Sequence, residues 1–303
     1  MNSTSNLDLL GNKDLMLFLS LREVTRNFGE DGLKQRLFYE IEDTDWDDET
    51  KHIITDLAHM VTDIYHAGDK RDDSTYATHV LRVTNRLVSR DHFNYRENPQ
   101  LVIAALLHDV IEDHPERLQG EPWLDDSDMT HEGVAARIAQ RDRALQVIAT
   151  TYGKDVAETV RSLSNPIYNK SDLTLQEKHE IYREHVVETL SRGGDAALIK
   201  LSDFIDNCLG LGFNPDNEHR FKLAQKYAPL IPKMLEYSLN SVLSDETKTK
   251  LANELFYAFE NTRYIIDTKG EKAKLPNVAR PWEMSEHTLA GYKRFIGRRA
   301  LTA

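Results

Sequence analysis

One stretch of the chain, AALLHDVIEDHPE from Ala104 to Glu116, joins an apolar run to side chains that bind cations or move protons. These side chains belong to His108, Asp109, Glu112 and Asp113. On a continuous α-helix His108 and Glu112 share one face, and the two aspartates lie on the adjacent stripe. Ionised carboxylates crowded on one side repel one another unless a cation lies among them. The spacing therefore indicates a metal site, with a ligand-free polar stripe as the plainer alternative.

Two other amphipathic segments can supply the further ligands that a divalent ion needs. His79 lies in YATHVLRV and Asp203 in LIKLSDFIDN. Together with the His-Asp pair they form a mixed set of imidazole and carboxylate donors, which suits Mn²⁺, Fe²⁺, Co²⁺ or Zn²⁺ better than Ca²⁺. Several other histidines have no such neighbours in the sequence and are interpreted as structural: His66, His92, His131 and His185.

The elements that must position these groups are predicted to be helices. Apolar residues recur at steps of three and four along most of the chain, for example in DDETKHIITDLAHMVTDIYHAG, YATHVLRVTNRLVSR and PQLVIAALLHDVIED. Clean alternation with a period of two, which would indicate strands, is hard to find. The predicted fold class is therefore all-α.

A length of 303 residues fits one large domain or two modest ones. The pattern predicts a middle domain at 49–239, with helical extensions at 1–48 and 240–303. The stretch 114–133 holds two prolines and an acidic cluster, and is predicted to be irregular, either a lid or a solvated loop. The amphipathic segment near the N-terminus can pack on the core or on a second subunit, and core packing is the simpler expectation.

Composition narrows the possible partners and the compartment. No apolar stretch approaches the roughly 20 residues of a membrane-spanning helix, and the start lacks the features of a secretory signal. With a single cysteine, Cys208, the expectation is a cytoplasmic protein without a membrane role. A net charge of −12 argues against binding of duplex nucleic acid. A small anionic nucleotide remains possible, because a metal and a few cations can invert the field inside one cleft.

The order His, His-Asp, Asp resembles the HD superfamily of metal-dependent phosphohydrolases. A narrower likeness is to the hydrolase region of RelA/SpoT homologues. AALLHDVIED resembles the motif in which Glu-Asp follows His-Asp, and IKLSDFIDN resembles its Lys-Leu-Ala-Asp-x-x-x-Asn segment. YGKDVAETVRSLSN and KLAQKYAPL are similar to two further segments of that region. The resemblance covers roughly residues 50–235 in four ordered segments.

This resemblance implies an HD-domain helical bundle with extra helices at both termini, which removes pyrophosphate from the ribose 3′ position of (p)ppGpp with Mn²⁺. The metal ligands it implies are His79, His108, Asp109 and Asp203. Glu112 and Asp113 would position and deprotonate the attacking water. The residues implied to contact the nucleotide are Lys70, Arg71, Tyr76 and Asn207.

The sequence departs from the family pattern near these positions. Valine follows His79 where proline is usual, phenylalanine follows Asp203 where a basic residue is usual, and Cys-Leu-Gly follows Asn207 where the family often has Arg-Thr. The lost cation leaves the substrate open among (p)ppGpp, ppApp, the 2′-phosphate of NADPH and a dNTP. A non-catalytic nucleotide sensor is a further alternative, less favoured because every metal and Glu-Asp position is filled. Nothing after residue 240 resembles a synthetase domain, so a stand-alone hydrolase is expected.

Overall fold

The computed structural model describes residues 15–71, 74–90, 92–122, 124, 130–169 and 173–271. Over these ranges the chain is almost entirely helical, which confirms the predicted all-α class. The helices are α1 Met16–Glu42, α2 Asp48–Met60, α3 Ala77–Val88, α4 Pro99–Leu107, α5 Val110–Asp113, α6 His131–Tyr152, α7 Lys154–Leu163, α8 Leu175–Arg192, α9 Gly194–Gly210, α10 Asn217–Tyr227, α11 Ile231–Asn240 and α12 Asp245–Asp267. Among the described helices, none combines the length and the apolar character needed to cross a membrane.

The chain folds into two compact units. Within the described residues, one contains residues 20–206, and the other contains residues 207–271 together with 15–19. The division into 1–48, 49–239 and 240–303 remains a prediction from the helical pattern.

Helix α4 forms the centre of the unit 20–206. Its residues from Leu101 to Leu107 are all buried, and it packs against α2, α3 and α7. Neighbours on several sides explain why LVIAALL is an uninterrupted apolar run and not a stripe. The Asn98 side chain accepts a hydrogen bond from the Leu101 N–H at 3.2 Å, and Pro99 occupies the first helical position, so both favour a helix start here.

Helix α1 packs its second half on this unit, as the amphipathic pattern predicts. Leu33, Leu37 and Ile41 are buried, and the Asn85 side chain donates a hydrogen bond to the Leu33 carbonyl oxygen at 3.1 Å. The helix is interrupted at Gly29, whose φ of 59° lies in the left-handed region that glycine enters without a steric penalty.

A short antiparallel ribbon, which the sequence pattern does not predict, precedes α3. Lys70 pairs with Thr75 and Arg71 with Ser74, while residues 72 and 73 lie outside the described part of the chain. The ribbon follows a π-helical turn, Val61–Tyr65, that ends the helix begun by α2. The ribbon therefore places the two predicted substrate-binding cations immediately before the helix that carries His79.

The stretch 114–133 is irregular where the structure describes it. A 3₁₀ turn, Pro115–Leu118, follows the His-Asp segment, and α6 begins at His131. Residues 123 and 125–129 lie outside the described residues, so the choice between lid and loop remains open there. The Gln119 side chain donates to the carbonyl oxygens of Pro115 and Gln140, at 2.9 and 3.0 Å, which ties the turn to α6.

In the other unit, helices α10 and α11 each pack against α12. Arg220 is fully buried, and its guanidinium donates to the carbonyl oxygens of Asn214 and Gly270. Gly270 has a φ of 94°, and a Cβ atom there would lie 2.1 Å from the Asn217 carbonyl oxygen. Only glycine therefore fits this turn after α12. Residues 272–303 are outside the described part.

Candidate metal centre

The His-Asp motif lies at a break between two helices. Helix α4 ends at Leu107, His108 and Asp109 form a turn, and α5 begins at Val110. The expectation of one continuous helix through Glu112 is therefore wrong. The His108 Nδ1 atom lies 2.7 Å from the Ala105 carbonyl oxygen, which is the acceptor that a continuing helix would offer to the N–H of Asp109. A polar side chain thus competes with the helical backbone at this point.

The four predicted metal ligands converge at this break. The His79 Nε2 atom lies 3.1 Å from Asp203 Oδ1 and 3.7 Å from Asp109 Oδ2. The His108 Nε2 atom lies 3.1 Å from Asp109 Oδ2. One donor atom each of His79, His108 and Asp203 lies within 4.8 Å of the others, as ligands of one ion require. We call these four residues the HD cluster. Their role as ligands remains a prediction.

Both imidazoles of the HD cluster are oriented through their Nδ1 atoms. His79 Nδ1 lies 2.8 Å from Asp206 Oδ2, and His108 Nδ1 bonds the Ala105 carbonyl oxygen. An N–H that donates from Nδ1 leaves the Nε2 lone pair for a metal, the usual arrangement around ligating histidines. Both rings are 1% exposed, and each Nε2 atom faces a carboxylate oxygen at 3.1 Å, His79 towards Asp203 and His108 towards Asp109. The residues present therefore fit a divalent cation.

Asp206 is held in place by two arginines. Arg82 donates from Nε to Oδ1 at 3.0 Å and from a terminal nitrogen to Oδ2 at 3.0 Å, and Arg22 lies 3.7 Å from Oδ2. Burial alone would raise the pKa of Asp206, but the two guanidinium groups hold it well below its ordinary range. Asp206 is therefore an ionised acceptor for His79. Asp206 was not identified from the sequence, although its position one turn after Asp203 puts it on a neighbouring stripe of α9.

Asp203 is oriented from the opposite side by Lys200. The buried Lys200 ammonium donates to Asp203 Oδ2 at 3.1 Å, while Oδ1 faces His79. Burial would raise the pKa of Asp203, but Lys200 and His79 lower it below its ordinary range. Lys200 was also missed, although it lies one turn before Asp203 in the KLSD segment.

Charged groups of opposite sign shift one another's pKa values in this centre. Burial alone would lower the pKa of His108, yet the carboxylates of Asp109 and Asp203 raise it to about 9. Burial alone would raise the pKa of Asp109, but the two cluster histidines and Lys200 hold it well below its ordinary range. Two ionised carboxylates in a buried site attract positive charge, whether protons on imidazole or a divalent ion.

Glu112 and Asp113 have different surroundings. The Glu112 carboxylate accepts hydrogen bonds from the Asn165 side chain, at 2.8 and 2.9 Å, and from its backbone N–H at 3.1 Å. Burial and the charges of Asp109 and Glu112 raise the pKa of Asp113 to about 8. One group is thus fixed by an amide, and the other is able to carry a proton near neutral pH. Asn165 was not identified from the sequence.

The predicted substrate-binding residues lie in different places. The Tyr76 hydroxyl donates to Asp109 Oδ2 at 2.8 Å, and the Arg71 guanidinium lies 5.3 Å from the centre of the Tyr76 ring. Lys70 is exposed on the ribbon. Asn207 lies on α9, one turn after Asp203, in the segment that belongs to the other compact unit. Contact of these residues with a nucleotide remains a prediction.

One histidine interpreted as isolated has close partners. The His66 Nδ1 atom lies 3.3 Å from Asp69 Oδ2, and its ring centre is 5.6 Å from that of His114. The interpretation of His66 as isolated is therefore wrong. His185 bonds the Leu163 carbonyl oxygen at 3.2 Å, and His92 lies 3.3 Å from a terminal nitrogen of Arg86, both as structural side chains do.

Comparison with known proteins gives one family match. Residues 76–198 match the family model of the HD domain. This range includes His79, the His-Asp pair and the Glu-Asp pair, whereas Asp203 and the ribbon lysine and arginine lie outside it. No curated protein and no solved structure matches the chain. The chain contains an HD domain, the all-α domain of the metal-dependent phosphohydrolases of the HD superfamily.

Proposed function

We propose that the protein is a metal-dependent hydrolase that removes the 3′-pyrophosphate from (p)ppGpp or a close nucleotide analogue. The observation that carries this proposal is the HD cluster, in which two buried imidazole Nε2 atoms each lie 3.1 Å from an ionised carboxylate. The HD domain indicates a metal-dependent phosphohydrolase. The likeness of four ordered segments to RelA/SpoT hydrolases supports the narrower choice of substrate.

The HD cluster would hold the cation, for which we propose Mn²⁺. When bound, such an ion neutralises charge on the attacked phosphoryl group and lowers the pKa of water. Asp206 and the Ala105 carbonyl keep the two imidazoles in the tautomer that ligation needs, while Lys200 fixes one oxygen of Asp203. The protein therefore holds this ligand geometry through contacts of its own.

Glu112 acts as the general base in this proposal. A carboxylate that accepts three hydrogen bonds from Asn165 has a fixed orientation, as a base that removes a proton from water requires. Asp113, with a pKa of about 8, holds a proton near neutral pH and can deliver it to the leaving group or orient Glu112. Burial and the charges of Asp109 and Glu112 raise the pKa of Asp113, so Asp113 can act as a proton donor while Glu112 acts as the base.

We assign binding of the substrate to the ribbon and to Tyr76. Lys70 and Arg71 supply the positive charge that a polyphosphate needs, and Tyr76 lies between Arg71 and Asp109. Asn207 would contact the nucleotide. A second candidate substrate is another nucleotide, such as ppApp, NADPH or a dNTP. It is favoured by the residue Leu209, buried where RelA/SpoT hydrolases often present a cation.

A small substrate panel tests the proposal. Purified protein with Mn²⁺ is incubated separately with ppGpp, ppApp, NADPH and a dNTP, and the products are separated by chromatography, with Asp109→Ala as the inactive control. Release of pyrophosphate and GDP from ppGpp is the expected result. Faster turnover of another nucleotide would select the second candidate. Binding without turnover of any nucleotide would contradict the enzyme and favour a sensor.

A further inference from the structure

A second group of metal-type ligands lies outside the HD cluster. It consists of His66, at the end of the π-helical turn, Asp69, just before the ribbon, and His114, just after α5. The Asp69 Oδ2 atom lies 2.6 Å from His114 Nε2 and 3.3 Å from His66 Nδ1. One donor atom from each of the three lies within 4.8 Å of the other two. We call these three residues the His66 cluster.

The groups around the His66 cluster prepare its histidines for ligation. Glu116 Oε1 lies 3.0 Å from His114 Nδ1, so an N–H donated to this carboxylate leaves the His114 Nε2 lone pair directed at Asp69. His66 is buried, and its ring stacks on that of Tyr76. The same outer arrangement, Nδ1 facing a carboxylate, orients His79 in the HD cluster.

Two buried polar atoms at this place have no partner. His66 Nε2 and Glu116 Oε2 are both buried, and neither has a hydrogen-bond partner. Unsatisfied buried polar atoms carry a free-energy cost, which a bound ion or water can offset. They are an observation independent of the distances within the cluster.

The arrangement without a metal is a His114 ring held between Asp69 and Glu116 through its two nitrogens. Arg117 stands near both carboxylates, at 3.7 Å from each, but it donates hydrogen bonds to the carbonyl oxygens of Ile64 and Tyr65 at 3.1 and 2.8 Å. A clamp of this kind explains His114 alone. It does not involve His66, whose Nδ1 atom faces the same oxygen of Asp69 at 3.3 Å.

We propose that the His66 cluster is a second divalent-metal site, which takes a Zn²⁺-type transition ion. Two imidazoles and one carboxylate are a ligand set that zinc sites use, with a fourth position left for water. The side chains of Asp69 and His114 are 25% and 16% exposed, so an ion can reach them. This proposal does not depend on the identity of the substrate.

The bound ion would fix the segment that carries Lys70 and Arg71. It would join the π-helical turn and the start of the ribbon to the segment that follows α5. The Asp69 carbonyl oxygen accepts the Tyr76 N–H at 3.0 Å, and the Tyr76 ring stacks on His66 with centres 4.8 Å apart. One tyrosine therefore contacts both clusters, since its hydroxyl bonds Asp109. We assign the second ion a structural role, in positioning this ribbon.

Metal stoichiometry tests the second site without an activity assay. Full-length protein is stripped with chelator, loaded with Zn²⁺, passed through gel filtration and measured by elemental analysis. We expect two equivalents in the wild type, one in His114→Gln, one in Asp203→Asn and none in the double variant. His52→Gln is the matched control, because His52 pairs with Asp56 at 3.2 Å on an exposed helix face and should keep two equivalents. Loading with Co²⁺ should give two absorption spectra that the single variants separate.

Several outcomes would overturn the second site. A wild type whose single equivalent is kept by His114→Gln and lost in Asp203→Asn contradicts it, and so does a His114→Gln protein that retains two. If His114→Gln fails to fold by circular dichroism, the decision passes to Asp203→Asn, which must keep one equivalent. Loss of both ions in Asp203→Asn would show that the second ion does not bind independently. Reduced thermal stability of His114→Gln with an unchanged metal count would show that His114 only joins Asp69 and Glu116, and would overturn the site.

Discussion

The HD cluster and the His66 cluster use the same side-chain types but differ in burial and in their neighbours. His79 and His108 are each 1% exposed, and each has its Nδ1 atom bonded inside the core. In the His66 cluster, two of the three ligands reach the surface. Burial lowers the local dielectric constant and so strengthens electrostatic effects at the HD cluster more than at its neighbour.

The neighbours differ in a way that matters for chemistry. Next to the HD cluster stand Glu112 and Asp113, and burial together with the charges of Asp109 and Glu112 raises the pKa of Asp113 to about 8. Next to the His66 cluster stand Glu116, which orients His114, and Arg117, which binds backbone carbonyls. The first arrangement can transfer protons to and from water. The groups beside the His66 cluster orient a ligand and bind backbone carbonyls. We therefore assign hydrolysis to the HD cluster alone.

The largest expected effect comes from removing a ligand of the HD cluster. Asp109→Ala takes away a carboxylate that contacts both cluster histidines and Tyr76. We expect complete loss of hydrolysis and loss of one metal equivalent, while the ion of the His66 cluster remains. Product analysis by chromatography and elemental analysis of the same preparation measure the two effects. Normal turnover by Asp109→Ala would place the active site elsewhere.

Metal removal tests the same cluster without mutation. Chelation should abolish hydrolysis, and Mn²⁺ should restore it at lower concentration than Mg²⁺, because imidazole ligands favour Mn²⁺ and Mg²⁺ prefers oxygen donors. Initial rates over a series of metal concentrations measure the difference. Equal restoration by Mg²⁺ would count against His79 and His108 as ligands.

Changing the base should separate catalysis from metal binding. Glu112→Gln keeps the shape and the acceptor oxygen that Asn165 can bond, but it removes the basic group. We expect the metal content to stay unchanged and the rate to fall by about two orders of magnitude or more, the usual contribution of a general base. Single-turnover kinetics on metal-loaded protein measure this loss. A Glu112→Gln enzyme of normal rate would show that another group removes the proton.

The sequence was sufficient for the fold class and for bringing the cluster residues together, because both depend on local periodicity and motif. The run LVIAALL predicts a helix surrounded by others, and α4 is one. The break at His108 was not predictable, since it depends on whether a side chain or the backbone takes the Ala105 carbonyl. The ribbon of Lys70 and Arg71 has two residues in each strand, too few for a period-two pattern.

Contacts between residues far apart in the sequence were the other feature that could not be predicted. His66 looked isolated because its partner His114 is far along the chain, and nothing local indicates their contact. Asp206 is a partial exception. Its spacing from Asp203, together with an arginine one turn after His79, could have suggested a charge pair between α3 and α9, although only the fold shows that the pair exists.

Asp206 also gives the smallest of the expected effects, on affinity for metal and not on the chemical step. Asp206→Asn can accept from His79 or from Arg82 but no longer carries the charge that balances two buried arginines. Loss of such an outer partner typically lowers metal affinity about 10–100-fold, and an unbalanced buried charge costs about 3–5 kcal/mol of stability.

Metal titrations of activity and thermal unfolding measure both, with the exposed Glu188→Gln on α8 as control. At saturating metal the rate should approach that of the wild type. If affinity for Mn²⁺ is unchanged while stability falls, Asp206 serves the arginines only, and the HD cluster orients His79 by other contacts.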